Sequence, residues 1–404
     1  MNETLYIENF LVIKKAELQL NRINLLIGPQ SSGKSLIAKL CHFFKNTQDQ
    51  LMSSLFLEKE EDLKKTMMND FCNKFPDYTW KNDDFLIRFH DARASVFLRK
   101  KENSCLVIEI DFREKLEDET KSELRKIRNK ISGSFGAGLK TQLAMMDRLE
   151  PLYRHIFPSV LFVPAARSFL ANLQNNIFFF MTRDIDIDPF MRSFGYFYEM
   201  SKSKYKNNGY EEKSMKNLMM LMSDVVNGSY QFSDNQDWIV QKNRKVNLAQ
   251  ASSGQQEILP LLLTSAIYVI DNQQKSDFIF IEEPEAHLFP EAQSKVMAFF
   301  SYLYAEYQTS FFLTSHSPYI LSALNNHILA AEVVEAGNMA PERFTELNGY
   351  GVPIPFSDVA AYTICDGEVK SIRDEEYQMI GGEMLDGISD HFGRVTDALL
   401  ELHG

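Results

Sequence analysis

INLLIGPQSSGKS, residues 23–35, joins a short apolar run to a glycine-rich loop that ends in Gly-Lys-Ser. The run 23–27 predicts a buried strand, and the SLIAKLCHFF that follows the loop has the apolar spacing of a helix. A strand, a glycine-rich loop and a helix in this order are the setting that a phosphate-binding loop requires. We therefore expect an α/β fold with this loop between a central strand and the first helix.

The loop is a full G-x-x-x-x-G-K-S pattern. Its glycines let backbone N–H groups converge on phosphates, Lys34 reaches the β- and γ-phosphate oxygens, and the Ser35 hydroxyl ligates magnesium. The pattern therefore predicts that the chain binds ATP and Mg²⁺. The residues predicted to contact the nucleotide are Gly28, Pro29, Gln30, Ser31, Ser32, Gly33, Lys34 and Ser35.

Two further apolar runs end in polar side chains. Residues 277–281 are followed by Glu282 and Glu283, and residues 311–313 are followed by TSHSP, which contains His316. Because the carboxyl ends of parallel strands meet at one edge of a sheet, these side chains are expected beside the loop. Glu282 is predicted to hold the magnesium shell, directly or through water, Glu283 to polarise the attacking water and His316 to contact the γ-phosphate. The alternatives are a solvated turn for the two acids and a structural role for the histidine.

A third phosphate contact is predicted where ASSGQQ, residues 251–256, precedes an apolar helix. Small residues before a helix start expose N–H groups, and the helix dipole attracts anions to them. The predicted contacts are Ser252, Ser253, Gly254 and Gln255. Taken alone, the same stretch also fits an ordinary N-cap.

The composition is that of a folded protein, with 404 residues, 45% hydrophobic residues and a formal net charge of −12. The negative charge does not indicate nucleic-acid binding, although a local basic groove stays open. The four cysteines are scattered, without a zinc-ligand spacing. The first ten residues lack the layout of a secretory signal, and the longest apolar run, 258–270, is too short to span a bilayer. We expect a reducing, cytoplasmic setting with no membrane partner.

The order of these motifs resembles the ABC-type P-loop ATPases, particularly the soluble branch with the SMC-like, recombination and OLD-type defence ATPases. The segments that carry the resemblance are IENFLVIKKAELQLNRINLLIGPQSSGKS, EEPEAHLFPEAQ and TSHSP. The resemblance implies a head with a mixed or parallel sheet core, an N-terminal antiparallel β subdomain and a helical lobe. It also implies a homodimer or higher homo-oligomer, in which residues 252–254 of one chain complete the nucleotide site of another.

The family usually has a glutamine after the strand that leads into the helical lobe, and SVLFVPAARS has none there. Arg167 is predicted to take its place as a γ-phosphate contact, since a guanidinium suits phosphate oxygens. A structural salt bridge is the alternative. The resemblance also implies that Glu285 and His287 lie in a segment that crosses to the other subunit.

The predicted domains follow from how far the resemblance extends. The head is expected over residues 1–45 and 159–330, with the helical lobe at about 168–250. Residues 46–158 are expected to form an inserted β and helical subdomain, and residues 331–404 a C-terminal α/β tail. No heptad arm is present, and a nuclease within the tail, using Asp366, Asp374, Glu375 and Glu376, is disfavoured because acids are common at turns and helix starts.

The leading functional hypothesis is an ATP-driven switch whose dimer closes on nucleotide and controls a separately encoded effector, a nuclease or toxin, in bacterial anti-phage defence. The defence role is implied by resemblance alone. The alternative is a DNA-repair or recombination ATPase that binds DNA in an ATP-dependent way, which the acidic charge disfavours. A nucleotide-held scaffold and a transporter subunit rank lower.

Overall fold

The structure is a computed structural model that describes residues 3–57, 60–91, 94–101, 104–112, 159–173, 187–208, 213–242, 244–272, 277–349 and 351–381. Its strands are β1 (Glu3–Phe10), β2 (Ile13–Leu20), β3 (Ile23–Ile27), β4 (Phe85–His90), β5 (Ala94–Lys100), β6 (Val107–Phe112), β7 (Val160–Val163), β8 (Ser229–Ser233), β9 (Gln236–Gln241), β10 (Arg244–Asn247), β11 (Phe278–Glu282), β12 (Ser310–Ser315), β13 (Val359–Cys365), β14 (Glu368–Ser371), β15 (Arg373–Asp374) and β16 (Met379–Ile380). Its helices are α1 (Lys34–Leu57), α2 (Glu60–Lys74), α3 (Ser168–Asn172), α4 (Pro189–Asn208), α5 (Lys213–Val226), α6 (Ser253–Asp271), α7 (Pro290–Glu306), α8 (Pro318–Glu335) and α9 (Pro341–Asn348).

One eleven-stranded mixed sheet organises the described residues, in the order β6-β5-β4-β1-β2-β14-β13-β3-β12-β11-β7. The strands from β6 to β2 are antiparallel. The strands β13, β3, β12, β11 and β7 are parallel. The predicted α/β fold with a mixed sheet core is therefore confirmed, and the carboxyl ends of five neighbouring strands lie at one edge.

The parallel strands are apolar on both faces because helices cover both sides. Along β11, Ile279 and Ile281 pack into one core with α4 to α8. The alternate residues Phe278 and Phe280 pack into a second core with α1, α2 and the antiparallel strands. Side chains alternate along a strand, so a strand buried on both faces reads as a continuous apolar run. This is why these strands could be located from the sequence.

The large sheet takes its strands from all three predicted parts of the chain, the head, the insert and the tail. Strands β4 to β6, from the predicted insert, extend the sheet outward from β1. Strand β13, from the predicted tail, lies inside the sheet and pairs in parallel with β3. Described strands of both regions therefore belong to the same sheet as the strands of the head. Within the predicted insert, residues 84–112 contain the three strands β4 to β6, and residues 113–158 lie outside the described residues.

A buried histidine on α1 packs against the parallel strands β7 and β11 and the start of α4. The His42 ring lies edge-on to the rings of Phe162, Phe190 and Phe280, at centroid distances of 5.4, 5.5 and 5.6 Å. Its Nδ1 atom has no hydrogen-bond partner within the described residues. Burial, assisted by the charge of Lys74, lowers the pKa of His42 from 6.5 to about 3. The imidazole is therefore neutral in the folded protein at pH 7.

The free energy of unfolding should fall between pH 7 and pH 5. The unfolded chain binds a proton at His42 below about pH 6.5 while the folded chain stays neutral down to about 3, so acid favours unfolding in this window. One histidine contributes about 1.4 kcal/mol per pH unit there, or about 2 kcal/mol at pH 5. Urea unfolding at both pH values, for the parent and His42→Leu, measures this. Equal pH dependence in the two proteins would contradict the assignment.

Candidate active site

The glycine-rich loop connects the end of β3 to the start of α1. Gly33 has φ +106°, and a Cβ there would lie 2.4 Å from Ile13 Cδ1. A Cβ on Gly28 would lie 2.8 Å from the Ile364 carbonyl oxygen of β13. The loop therefore packs against the β1–β2 turn on one side and β13 on the other. At both positions, 28 and 33, any residue other than glycine would require the surroundings to shift.

The Lys34 ammonium is folded into the loop. Its Nζ atom donates to the Gly28 and Pro29 carbonyl oxygens at 2.8 and 2.7 Å, and the residue is 6% exposed. Burial lowers the pKa of Lys34, while the Glu283 and Glu285 carboxylates act in the opposite direction. The positive charge therefore stands inside the loop, where a phosphate group can exchange for the two carbonyl oxygens.

The two acids at the tip of β11 have different surroundings. Glu282 is 5% exposed, and its Oε2 atom accepts a hydrogen bond from the Ala165 N–H at 3.1 Å. Glu283 is half-buried, has φ +45°, and donates its N–H to the Thr314 carbonyl oxygen. A positive φ at a non-glycine residue is a strained conformation of the kind that clusters at functional sites. The surroundings of the two acids thus differ, and their separate roles in hydrolysis stay a prediction.

His316 follows β12 and stands beside two carboxylates. Its Nδ1 atom lies 3.8 Å from Glu283 Oε1 and 3.5 Å from Glu285 Oε1, and half of the side chain is exposed. Glu285 is 4% exposed and accepts hydrogen bonds from Ser315 Oγ at 2.7 Å and from the His316 N–H at 2.9 Å. Glu285 therefore supports the histidine segment of its own chain. The sequence pattern did not indicate this role.

Several buried oxygens around the site have no hydrogen-bond partner within the described residues. They belong to the loop and to the tips of β11 and β12: Ser32 Oγ, Glu282 Oε1, Glu285 Oε2 and Thr314 Oγ1. A buried polar atom without a partner is unfavourable, so such a cluster indicates a place for a polar ligand, ion or water. Carboxylate and hydroxyl oxygens are the ligands that Mg²⁺ prefers. The residues present therefore fit a magnesium–phosphate group.

Protein ligands alone do not form a metal site here. Among the residues that the structure describes, no group of three or more His, Cys, Asp or Glu side chains is placed to hold an ion. Magnesium in nucleotide sites is held by one or two carboxylates together with phosphate oxygens and waters. Ser35 and Glu282 are the predicted protein ligands, and Ser35 is exposed at the start of α1.

Arg167 is placed differently from its predicted phosphate contact. The residue is 0% exposed, and its guanidinium donates to four backbone carbonyl oxygens, those of Pro164, Glu257, Glu282 and Glu283. Its Nε atom also lies 3.5 Å from the Glu257 carboxylate. The guanidinium therefore points into the protein, toward Glu257 of α6, which lies 90 residues further along the chain. The geometry supports the structural ion pair, which was the alternative.

The serine-rich segment starts α6. Ser252 is the N-cap, its Oγ atom accepts from the Gln255 N–H, and Gln255 Oε1 accepts from the Ser252 N–H in return. Gln255 Nε2 donates to the Val226 carbonyl oxygen, so this side chain is engaged within its own chain. Ser253 is exposed. Gly254 lies against the His287 carbonyl oxygen, where a Cβ would be 2.7 Å away.

The fold and the loop define a P-loop ATPase domain that binds ATP. A family model for the AAA ATPase domain matches residues 1–149 and 186–321, and the chain belongs to that family. No curated protein shows a significant sequence match to the chain. Among the described residues, no helix has both the length and the apolarity to cross a bilayer.

Three solved structures are similar over nearly the whole chain. The SMC head bound to the C-winged helix domain of ScpA is 12% identical, with a TM-score of 0.42, and the alignment covers 94% of this chain and 99% of the other. The SMC head domain from Thermotoga maritima is 12% identical, with a TM-score of 0.38 and coverages of 93% and 99%. The recombination mediator protein RecF of the RecFOR pathway is 10% identical, with a TM-score of 0.35 and coverages of 92% and 98%.

Proposed function

We propose that the chain hydrolyses ATP and acts as a dimerising nucleotide switch that controls a separately encoded effector. The observation that supports this is the position of Lys34, Glu283 and His316 at the carboxyl ends of β3, β11 and β12, which are neighbours in the sheet. Parallel sheets bind ligands at this edge. We assign Lys34 to the phosphates, Glu283 to the attacking water and His316 to the γ-phosphate.

The proposal gives each of these three residues a separate role in hydrolysis. Lys34 leaves the Gly28 and Pro29 carbonyl oxygens and donates to the β- and γ-phosphate oxygens of ATP. Glu283, which is half-buried and open to water, orients the attacking water and accepts its proton. His316 donates to the γ-phosphate and responds to its loss. Mg²⁺, held by Ser35 and Glu282, would neutralise the phosphate charge.

The second part of the proposal is that two copies complete each site. Ser253 is exposed at the first position of α6, and a helix start carries a partial positive charge of about half a unit. Residues 252–254 of one copy would contact the phosphates held by residues 28–35 of the other. The nucleotide would then hold the dimer closed, and hydrolysis would release it.

Ser253→Glu tests this arrangement. An acidic residue in the first turn favours a helix, so the chain should fold normally, but the carboxylate repels phosphate. Nucleotide affinity of the single chain should stay within about 2-fold of the parent, while turnover falls on the order of 10-fold because one phosphate contact is lost. Steady-state hydrolysis and nucleotide titration measure the two quantities. Ser203→Glu, at an exposed serine of α4, is the matched control and should behave as the parent.

A mixture of two defective variants gives the sharper outcome. Ser253→Glu has an intact Glu283, and Glu283→Gln has an intact Ser253, so a mixed dimer contains one complete site. Mixing equal amounts of the two proteins should raise turnover per chain above the average of the two separate proteins. Turnover that is merely the average of the two would show that each chain works alone.

The effector and the setting rest on the family resemblance. We place the switch in bacterial anti-phage defence, with a nuclease or toxin as the effector. A toxic or nucleolytic gene next to the coding sequence is the expected observation. A single gene among DNA-repair genes would instead favour the alternative, an ATPase that binds DNA with a salt-sensitive affinity raised by ATP.

A further inference from the structure

Arg167 connects three segments that meet below the active-site edge. Its Nη1 atom donates to the carbonyl oxygens of Pro164, at 2.9 Å, and Glu282, at 2.7 Å. Its Nη2 atom donates to the Glu283 carbonyl oxygen at 3.0 Å, and its Nε atom to the Glu257 carbonyl oxygen at 2.9 Å. The segments are the loop after β7, the tip of β11 and the first turns of α6. A guanidinium carries five N–H donors on three nitrogens, so it reaches carbonyl groups that lie further apart than the acceptors around one ammonium nitrogen.

Glu257 completes the connection from α6. The residue is 2% exposed, and its carboxylate accepts hydrogen bonds from the Arg167 and Ser168 backbone N–H groups at 2.9 and 3.1 Å. The same carboxylate lies 3.5 Å from Arg167 Nε. Both carboxylate oxygens are thus engaged, and the buried charge of the arginine has an opposite charge beside it. Removal of one partner of a buried pair leaves the other charge uncompensated.

The carbonyl groups that Arg167 holds belong to the two acids of the active site. Glu283 has φ +45°, and Ala166, next to Arg167, has φ +59°. Non-glycine residues in this region are held there by their surroundings. The adjoining Ala165 N–H binds Glu282 Oε2, which leaves Glu282 Oε1 as the oxygen without a partner. One loop therefore fixes both the backbone of the acidic tip and the orientation of the Glu282 carboxylate.

We propose that Arg167 is a positioning residue that sets the geometry of Glu282 and Glu283 and ties the β11 tip to α6. This inference rests on the proposed function, because it assigns Arg167 a task in the hydrolysis that Glu283 performs. Arg167 also links the acidic tip of β11 rigidly to the start of α6. The start of α6, which carries Ser252 to Gly254, and the acidic tip share one buried arginine, so movement of one moves the other.

Arg167→Lys is the variant that tests the proposal. Lysine keeps the charge beside Glu257, but one nitrogen cannot reach carbonyl groups on three segments. Affinity for ATPγS in EDTA should stay within about 2-fold of the parent, because the loop 28–35 is unchanged. The gain in affinity on adding Mg²⁺ should shrink at least about 5-fold, and turnover at saturating ATP should fall on the order of 30-fold, since small misplacements of catalytic groups are costly.

A second background separates positioning from a general loss of structure. In Glu283→Gln at saturating ATP and Mg²⁺, single-turnover hydrolysis should be changed by less than about 3-fold when Arg167→Lys is added, because residues that act as a unit are not additive. A structural defect would instead lower the rate in both backgrounds alike. Arg22→Lys is the matched control, since Arg22 bonds the Tyr304 carbonyl oxygen and Asp358 at the opposite end of β3. It should leave all three measurements as in the parent.

Failure of the proposed ATP hydrolysis and failure of the positioning role of Arg167 give different results. If the parent binds nucleotide but does not hydrolyse it, the proposed function fails, and the magnesium-dependent gain in affinity alone decides the role of Arg167. An unchanged gain, or a parallel loss of affinity in EDTA, overturns the positioning role. If Arg167→Lys does not fold, Glu257→Asp serves instead, because it keeps the negative charge beside Arg167 while its shorter side chain no longer reaches the backbone N–H groups of Arg167 and Ser168. It should show the same selective loss of the magnesium-dependent gain.

Discussion

Glu283→Gln should bind ATP as the parent does and hydrolyse it about 100- to 1,000-fold more slowly, because general-base assistance contributes on the order of 10²–10⁴. Glutamine keeps the size of the side chain and its contact with solvent but cannot take a proton from water. Phosphate release at saturating ATP measures the loss, and nucleotide titration measures the affinity. The complex with ATP should persist, so the variant should also trap the closed dimer.

The control for this change is Glu332→Gln, an exposed acid on α8 away from the strand tips. It should hydrolyse at the parent rate. Glu283→Gln replaces one carboxylate oxygen with an amide nitrogen. A parent-like rate for this variant would therefore show that Glu283 is not the general base. The proton acceptor would then have to be sought elsewhere, with Glu285 as the next carboxylate beside His316.

Lys34→Ala should weaken ATP binding about 100-fold. A hydrogen bond to a charged group contributes about 1.5–3 kcal/mol, and Lys34 is expected to make two with phosphate oxygens. Part of this is offset, since the lysine gives up its bonds to the Gly28 and Pro29 carbonyl oxygens when ATP binds. Calorimetric titration with ATPγS measures the affinity.

The matched control is Lys39→Ala, which removes a lysine of the same helix. Lys39 bonds Asp188 at 2.7 Å and is part of a surface ion pair of little energetic weight. ATP affinity should then be unchanged. An equal loss in both variants would point to damage of α1 and not to a lost phosphate contact.

The parallel half of the sheet could be predicted because its signals are local. A strand buried on both faces is a continuous apolar run, and the loop 28–35 and the acids after β11 follow such runs directly. The placement of β13 between β14 and β3 could not be predicted in this way. Its parallel partner, β3, lies more than 300 residues away in the chain, and no local pattern specifies that pairing.

The same distinction explains the two residues whose surroundings were not foreseen. An arginine after an apolar strand at the ligand edge suits phosphate, and only the contact with Glu257 on α6 shows that Arg167 faces inward. Glu285 belongs to a turn by its neighbours in the sequence, yet Ser315 and the His316 backbone bury it. In both cases long-range packing brings in the partner that decides the role.

Strand β13 contacts the nucleotide loop although the two are more than 300 residues apart in the chain. Of the eleven strands, β13 and β14 are made last, and they join the parallel half to the antiparallel half. Gly28 rests on the Ile364 carbonyl oxygen of β13, so a nascent chain that has not yet extended past this strand lacks one wall of the loop. Pairing of distant segments is slow compared with local structure. One wall of the nucleotide loop is therefore supplied by the strand pair that is synthesised after the other nine strands of the sheet.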